Sequence, residues 1–344
     1  MPQLGGDLYT NAPLSRAAVA GFQKATNFLA PFMFPRLIVN KPSGLYYKWL
    51  LADLNRNEMA ARAAYAPAQI ANFGKVDATF KVPTESLAYL LNDTERKAAD
   101  FQIDPSKVIP RVLSYKALLR LEKMLADVAF LNTTWYRIVT GAAADSISEG
   151  TASDRKRFTD TTTDPIKAFF QEISYQSKLT GFRPNALAFG EKAWLGFRTN
   201  PYVMATLTGT TGIVRTAPAT HQEVKNLLGL KFCGTSSAIY NTAAPGQATS
   251  TNARIIPEDS CLLYYRGEAE GDDPGTWGDE MPVAGCSQVW EAGAGNNEGL
   301  RIRTFRDEKA GAGGSDHSEI DTFRTYGSVT AEMGTIFEDM TTGI

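Results

Sequence analysis

The stretch Asp104 to Asn132 reads DPSKVIPRVLSYKALLRLEKMLADVAFLN. Asp104-Pro105-Ser106 is a helix-start signal, with Asp104 at the N-cap and Pro105 in the first helical position, where a missing N–H costs nothing. Val108, Val112, Tyr115 and Leu119 make one row at helical spacing; Leu113, Ala117, Leu121, Met124, Val128 and Leu131 make another. Lys107, Arg111, Lys116, Arg120, Lys123 and Asp127 fill polar positions. Pro110 falls within the first turn and a half, where it is tolerated better than deeper in a helix. A helix of about 27 residues spans ~40 Å and is more than twice the usual length. It reads as a girder rather than as a member of a small bundle.

Upstream, Lys75 to Val82 alternates cleanly, with Val76, Ala78, Phe80 and Val82 on one face and Asp77, Thr79 and Lys81 on the other. That is a half-buried strand. Leu45 to Leu51 (LYYKWLL) is a second strand. The residues between them lack periodicity, and a connector of ~20 residues inside a compact domain is usually functional. Residues 1 to 36 read as an arm. Val19, Phe22, Thr26 and Leu29 share a helical face until Pro31 and Pro35 break it. Such an arm has little core of its own and is expected to lie on something else.

Downstream, residues 141 to 164 are expected as a loop, interrupted by Arg155-Lys156-Arg157-Phe158. Asp164-Pro165 starts a second helix that Thr180-Gly181 ends. A short strand, Ala186 to Phe189, leads into a helix from Glu191 to Asn200. A further helix, His221 to Leu228, stops at Gly229. Strands are expected at 230–233, 237–240, 260–265 and 300–305, with loops at 243–253, 267–285 and 310–315. The end, 318–337, is strand-like. Gly44, Gly74 and Gly141 are candidate hinges or plain turns.

The chain has 344 residues, a formal net charge of -2, 43% hydrophobic and 21% charged residues. It is large enough to bury a core without a metal or disulfide, and too near neutral for a dedicated nucleic-acid binder. Cys233, Cys261 and Cys286 fit no zinc spacing and read as reduced thiols. The first residues carry no secretion signal, and no apolar run is long enough to span a membrane.

Chemistry is sparse. The two histidines, His221 and His317, read as solvated surface positions. There is no Gly-x-Ser-x-Gly elbow, phosphate loop or dinucleotide fingerprint. Asp272-Asp273, with Glu268 and Glu270 nearby, could ligate a cation but reads as a solvated acidic loop. Arg155, Lys156 and Arg157 form the densest basic cluster and could face packaged nucleic acid, although Asp154 and Asp160 dilute it. No cofactor, metal or catalytic residue is expected.

Several stretches together carry a resemblance. Tyr46-Tyr47-Lys48 through Arg62-Ala63 to Gln69 resembles a strand and extended loop. Leu87-Ala88-Tyr89-Leu90-Leu91-Asn92-Asp93-Thr94-Glu95-Arg96 resembles a turn before a long helix. Asp104-Pro105 with Leu118-Leu119-Arg120-Leu121-Glu122 and Ala126 resembles that helix. Asp164-Pro165-Ile166, Gly181-Phe182-Arg183-Pro184-Asn185-Ala186-Leu187-Ala188-Phe189-Gly190 and Thr199-Asn200-Pro201-Tyr202-Val203 follow in order. From about residue 45 onward the chain resembles the major capsid proteins of tailed bacteriophages with the Hong Kong 97-like fold.

The resemblance implies an α+β chain with an N-terminal arm (1–36), an extended β-hairpin loop (37–83) and a peripheral domain with a long spine helix (84–159). Most of an axial domain (160–315) and a C-terminal strand returning to the peripheral domain (316–344) would complete it. It implies a non-enzymatic shell protein that self-assembles into hexamers and pentamers of an icosahedral capsid around double-stranded DNA. The implied partners are further copies of the chain, a portal protein, a separate scaffolding protein and a decoration protein. The implied location is the virion, assembled in the host cytoplasm, without a membrane. Arg56, Arg62 and Tyr65 of the loop would contact neighbouring subunits, and the packaged DNA would be touched non-specifically. An encapsulin-like nanocompartment shell is the alternative within the fold. A carboxylate-based hydrolase using Asp272, Asp273 and Glu280 is the alternative outside it.

Overall fold

The structure, a computed structural model, describes residues 23–49, 74–93, 105–208, 217–244, 251–267, 282–296, 298–309 and 314–342, and scattered single residues between 53 and 71 and at 247. In chain order the strands are β1 (Arg36–Val39), β2 (Ser43–Trp49), β3 (Lys75–Lys81), β4 (Glu85–Asn92), β5 (Arg137–Ala142), β6 (Ala152–Lys156), β7 (Ala186–Phe189), β8 (Phe232–Thr235), β9 (Ile239–Asn241), β10 (Asn252–Arg254), β11 (Cys261–Tyr264), β12 (Gly285–Trp290), β13 (Leu300–Asp307), β14 (Ser315–Thr322), β15 (Arg324–Ser328) and β16 (Gly334–Glu338). Among the described residues the α-helices with described bounds are Pro105–Ala129, Pro165–Thr180, Glu191–Thr199, Pro201–Thr208, His221–Leu228 and the single turn Glu291–Ala294.

A six-stranded mixed sheet, β6-β5-β16-β11-β7-β8, organises the core. Its strands alternate, so each sends neighbouring side chains to opposite faces. Leu187, Phe189, Cys261, Leu263 and Phe337 face a helical layer made by Pro165–Thr180, Glu191–Thr199 and His221–Leu228. Ala186, Ala188, Leu262, Tyr264 and Ile336 face the long helix Pro105–Ala129 and residues 28–34. Three layers therefore bury both faces of the sheet.

The helical layer holds a cluster of aromatic rings. Phe169 lies 5.1 Å from Phe337, 5.5 Å from Phe158 and 5.5 Å from Phe197 between ring centroids. The sequence motifs that punctuate this layer have physical reasons. Asp164 caps its helix by accepting from the backbone N–H of Ile166 and Lys167, and Gly181 ends it at φ 79°. Asn185 ties three segments together: its side chain bonds Arg266 on both the carbonyl and the N–H, and its carbonyl accepts from Lys231 and Phe232. Asn200 donates to the carbonyls of Phe158 and Asp160 and accepts from Tyr202. At Gly190 an added Cβ would sit 2.0 Å from the carbonyl oxygen of Pro257, so only glycine lets the loop pass.

The long helix behaves as the girder its pattern predicts. Leu113, Ala117, Leu121, Leu125 and Ala129 are buried in a row. It ends at Ala129 rather than Asn132, and Pro110 lies inside it. Asp104, its expected cap, lies outside the described residues.

Several expectations change. Residues 28–34, read as part of an arm lying on another body, are built into this chain's own core: Phe28, Leu29, Ala30, Met33 and Phe34 are all buried. Leu87 to Asn92 is a strand, not a turn, paired along its length with β14. The loop expected at 141–164 contains β6, parallel to β5. The helix from Glu191 ends at Thr199, and Pro201 then opens a further helix that the sequence reading does not include. β12, expected as loop at its start, pairs with both β1 and β15. β10, in the expected polar loop, pairs with β9. Gly44 and Gly141 sit inside paired strands, not at hinges. The sheets also cut across the expected boundary at residue 160. β5 and β6 lie before it, yet they share the six-stranded sheet with β7, β8 and β11, as does β16 from the C-terminal segment.

Candidate assembly surfaces

The described residues contain no group of three or more His, Cys, Asp or Glu that could hold a metal ion. The three cysteines are free thiols. Burial pushes the thiols of Cys233 and Cys286 up to about 12, so neither is a poised nucleophile at neutral pH. His221 is not the solvated residue expected. Its ring stacks on Trp194 at 4.1 Å, and Nε2 lies 2.7 Å from the Thr235 hydroxyl. Burial, then the neighbouring Arg198 charge, lowers its pKa, which favours the neutral ring. His317 likewise stacks on Phe305 at 4.5 Å. Asp272, Asp273 and Glu280, the acids of the hydrolase alternative, and Glu268 and Glu270 lie outside the described residues. So does Tyr65.

The basic cluster is not one patch. Arg155 is 3% exposed. It donates to Glu172 at 2.8 Å and to Gln171 at 2.7 Å. Arg137 donates to both oxygens of the same carboxylate, at 2.7 and 3.1 Å, sharing Oε1 with Arg155, and lies over the Tyr175 ring. The reason is local: β5 and β6 run parallel at the sheet edge and put both guanidinium groups against the helix carrying Glu172. Lys156 and Arg157 remain half-exposed. Lys156 reaches the Thr162 hydroxyl and Arg157 donates to the Asp339 carbonyl.

A second buried carboxylate escaped the sequence reading. Glu122 is fully buried on the long helix, and among the described residues it has no cationic partner. It accepts from the backbone N–H of Leu29 and Ala30, at 2.9 and 2.7 Å, and from the Ser236 hydroxyl at 2.7 Å. Burial raises its pKa, and these three donors oppose the rise. The hydroxyls of Tyr326 and Tyr264 donate to the carbonyls of Ala30 and Met33. Residues 28–34 are thereby held at both their N–H and C=O groups. The signal was available: position 122 follows Tyr115, Leu118 and Leu119 on their helical stripe, where an acid stands among apolar residues.

What the surface offers instead is unpartnered apolar area. Among the described residues β2 and β3 form a hairpin with no third strand. On one face Leu45 and Tyr47 are 67% and 66% exposed, beside Thr79 and Asp77 in register. The other face, with Tyr46, Ala78 and Phe80, is half-buried. In the segment that joins the strands, Met59 and Ile70 are almost fully exposed. Arg56 is exposed and pairs with Asp53 at 3.0 Å and Glu58 at 3.4 Å; Arg62 is exposed. The sheet β13-β14-β4 also exposes apolar residues, with Leu87, Tyr89 and Ile302 on one face and Leu90 and Phe305 on the other, each about half exposed. No helix among the described residues is long and apolar enough to cross a membrane.

No family model matches the chain, and no curated protein matches it. Solved structures do. A phage-related protein from Bordetella bronchiseptica superposes with a TM-score of 0.63 at 16% identity, covering 95% of this chain and 97% of its own. The capsid of the cyanophage P-SCSP1u gives 0.58 at 10% identity, covering 92% and 89%. The holo-SrpI encapsulin complex from Synechococcus elongatus gives 0.51 at 8% identity, covering 96% and 97%. This chain thus has the mixed α/β fold of phage capsid structures over nearly its whole length.

Proposed function

We propose that this chain is the shell-forming major capsid protein of a tailed bacteriophage, with the Hong Kong 97-like arrangement. The observation that carries the reading is the β2–β3 hairpin. A two-stranded ribbon is marginal alone, and this one turns Leu45 and Tyr47 outward. Such a surface is stabilised when a neighbouring subunit covers it. Repetition of that contact builds rings of five and six, and then an icosahedral shell around double-stranded DNA.

In this reading the hairpin is the extended loop, with Arg56, Arg62 and Tyr65 at inter-subunit contacts. The long helix is the spine of the peripheral domain, and the aromatic helical layer belongs to the axial domain. Lys156 and Arg157 touch DNA phosphates without base readout, and Arg155 stays inside the subunit. Portal, scaffolding and decoration proteins are the expected partners, no catalysis is involved, and the product is a virion assembled in the host cytoplasm. The encapsulin likeness supports a second reading, a nanocompartment shell; a folded enzyme inside purified particles, in place of DNA, would select it.

The test is size-exclusion chromatography followed by negative-stain electron microscopy. Closed particles or five- and six-membered rings are expected. A chain that stays monomeric across salt concentrations, with a scaffolding partner also supplied, overturns the proposal.

A further inference from the structure

The sheet β13-β14-β4 has two unlike edges. β13 carries Arg301, Arg303 and Arg306 on one side. β4 closes the other and, after Glu85, reads Ser86-Leu87-Ala88-Tyr89-Leu90-Leu91-Asn92 without a charge, a proline or a glycine. Among the described residues β14 is its one strand partner. Edge strands are normally blunted by lysine, proline, a bulge or a cover, because bare backbone N–H and C=O groups recruit another strand. β4 shows none of the first two over eight residues, and its register with β14 is unbroken from Glu85 to Asn92, so it carries no bulge either. Leu87, Tyr89 and Leu90 are 46%, 48% and 51% exposed.

We propose that β4 pairs antiparallel with β4 of a second copy of this chain, about a two-fold axis at Tyr89, joining two three-stranded sheets into one of six strands. It rests on the shell reading for its partner; the edge itself does not depend on it. The sequence of the edge is what selects a second copy. In an antiparallel pair, residues directly opposite each other lie on the same face. An axis through Tyr89 sets Tyr89 against Tyr89, Ala88 against Leu90, Leu87 against Leu91 and Ser86 against Asn92. Apolar meets apolar and polar meets polar throughout, as a self-complementary patch requires.

The charges agree with this choice. Glu85 falls outside the paired seven and is already held by Arg120, at 2.5 and 2.7 Å. The β13 edge is made differently: Arg301, Arg303 and Arg306 stand along it, engaged by Asp321, Glu319 and Asp316 of β14, so it offers no uncharged self-complementary run. Seven residue pairs bury less than a standard specific interface. In a shell the contact adds to others through effective concentration, so it need not hold a dimer alone.

The test uses the full-length chain. Paired Cα atoms lie 4.5–5.5 Å apart, within disulfide reach. Tyr89→Cys is therefore expected to give a covalent dimer on mild oxidation, several-fold above Phe305→Cys, an equally exposed control on the β13 edge. Equal yields overturn the proposal. Tyr89→Lys and Tyr89→Glu, each checked for the wild-type circular dichroism spectrum, are expected to lower assembly about tenfold alone and to recover it when mixed. Variants that assemble like the wild type, or a mixture no better than either, also overturn it. The two readings separate cleanly. A residue 89 crosslink without closed particles keeps the edge pairing and removes the shell. Particles without the crosslink do the reverse.

Discussion

The aromatic helical layer and the β2–β3 hairpin are built from the same kinds of residue and put them to opposite use. In the layer, Phe158, Phe169, Phe189, Phe197 and Phe337 are buried to within about a hundredth of their surface, against one another and against the six-stranded sheet. In the hairpin, Leu45 and Tyr47 keep two thirds of theirs. The first region is finished within one subunit. The second is left incomplete, on a ribbon too small to stabilise itself. The chain thus spends its apolar residues unevenly, and the hairpin's share is what a neighbouring subunit would cover in the proposed shell. Substitutions in the two regions should differ accordingly, from several kcal/mol of stability in the layer to about 0.5 kcal/mol in the hairpin.

Phe337→Ala removes a fully buried ring of the cluster, packed on Phe169 and Phe158, and leaves a cavity between sheet and helices. The loss is expected to be about 3–5 kcal/mol, read as a shift in the urea midpoint at unchanged slope. A loss below ~1 kcal/mol would mean that the layer is loosely packed and the contrast overstated.

Glu172→Gln attacks the same layer electrostatically. Among the described residues Glu172 is the one acidic partner of Arg137 and Arg155, and all three are almost fully buried. Neutralising it leaves two guanidinium groups without their counter-charge. The expected cost is about 3 kcal/mol, the lower end for breaking a buried pair, because the amide keeps an acceptor oxygen. Thermal or urea unfolding would register it. An unchanged midpoint would show that water or other acceptors satisfy the arginines.

Glu122 probes the seam between the two behaviours, where the root of the arm enters the core. Its folded pKa is raised above the ordinary glutamate value of 4.5, chiefly by burial. The folded state then binds the proton more tightly than the unfolded state. Stability from this group is present at acid pH and declines as pH rises from about that value through the raised pKa. Glu122→Gln removes the titration while keeping an acceptor toward Leu29 and Ala30. The wild type minus variant difference in unfolding free energy is expected to fall from pH 4.5 to pH 7. A rising difference would mean that the three donors outweigh desolvation.

Much of the core was legible in the sequence because its signals are local. Asp164-Pro165 and Gly181 bracket a helix with caps that need no tertiary partner, and the 113-117-121 row follows from helical geometry alone. β6 and β12 were not legible. Ala152–Lys156 is a polar run that becomes a strand because β5 lies beside it; Gly285–Trp290 is held by β1 and β15 from distant parts of the chain. Arg155 was read as a surface charge for the same reason, since nothing near it in sequence announces Glu172 as its partner. β4 was read as a turn from its resemblance to known sequences, although its own Leu-Ala-Tyr-Leu-Leu run has the composition of a strand.

The smallest effect on the subunit belongs to the hairpin, and it sharpens the comparison most. Tyr47→Ser removes an exposed ring opposite Asp77 and near the Lys75 ammonium, 5.9 Å from the ring centroid. Leu45→Ser removes an exposed side chain opposite Thr79. Neither leaves a cavity or a buried unpaired group, so each should change subunit stability by no more than about 0.5 kcal/mol. Assembly should respond differently. If a neighbour buries these side chains, each truncation forfeits about 1.5–3 kcal/mol of burial at every repeated contact, and the concentration at which particles appear by light scattering should rise at least tenfold. A variant as stable and as readily assembled as the wild type would leave the hairpin without a neighbour to cover it. An unstable one would show that the hairpin belongs to the subunit after all. Only an unchanged subunit with impaired assembly fits a surface whose apolar residues are held in reserve for another copy.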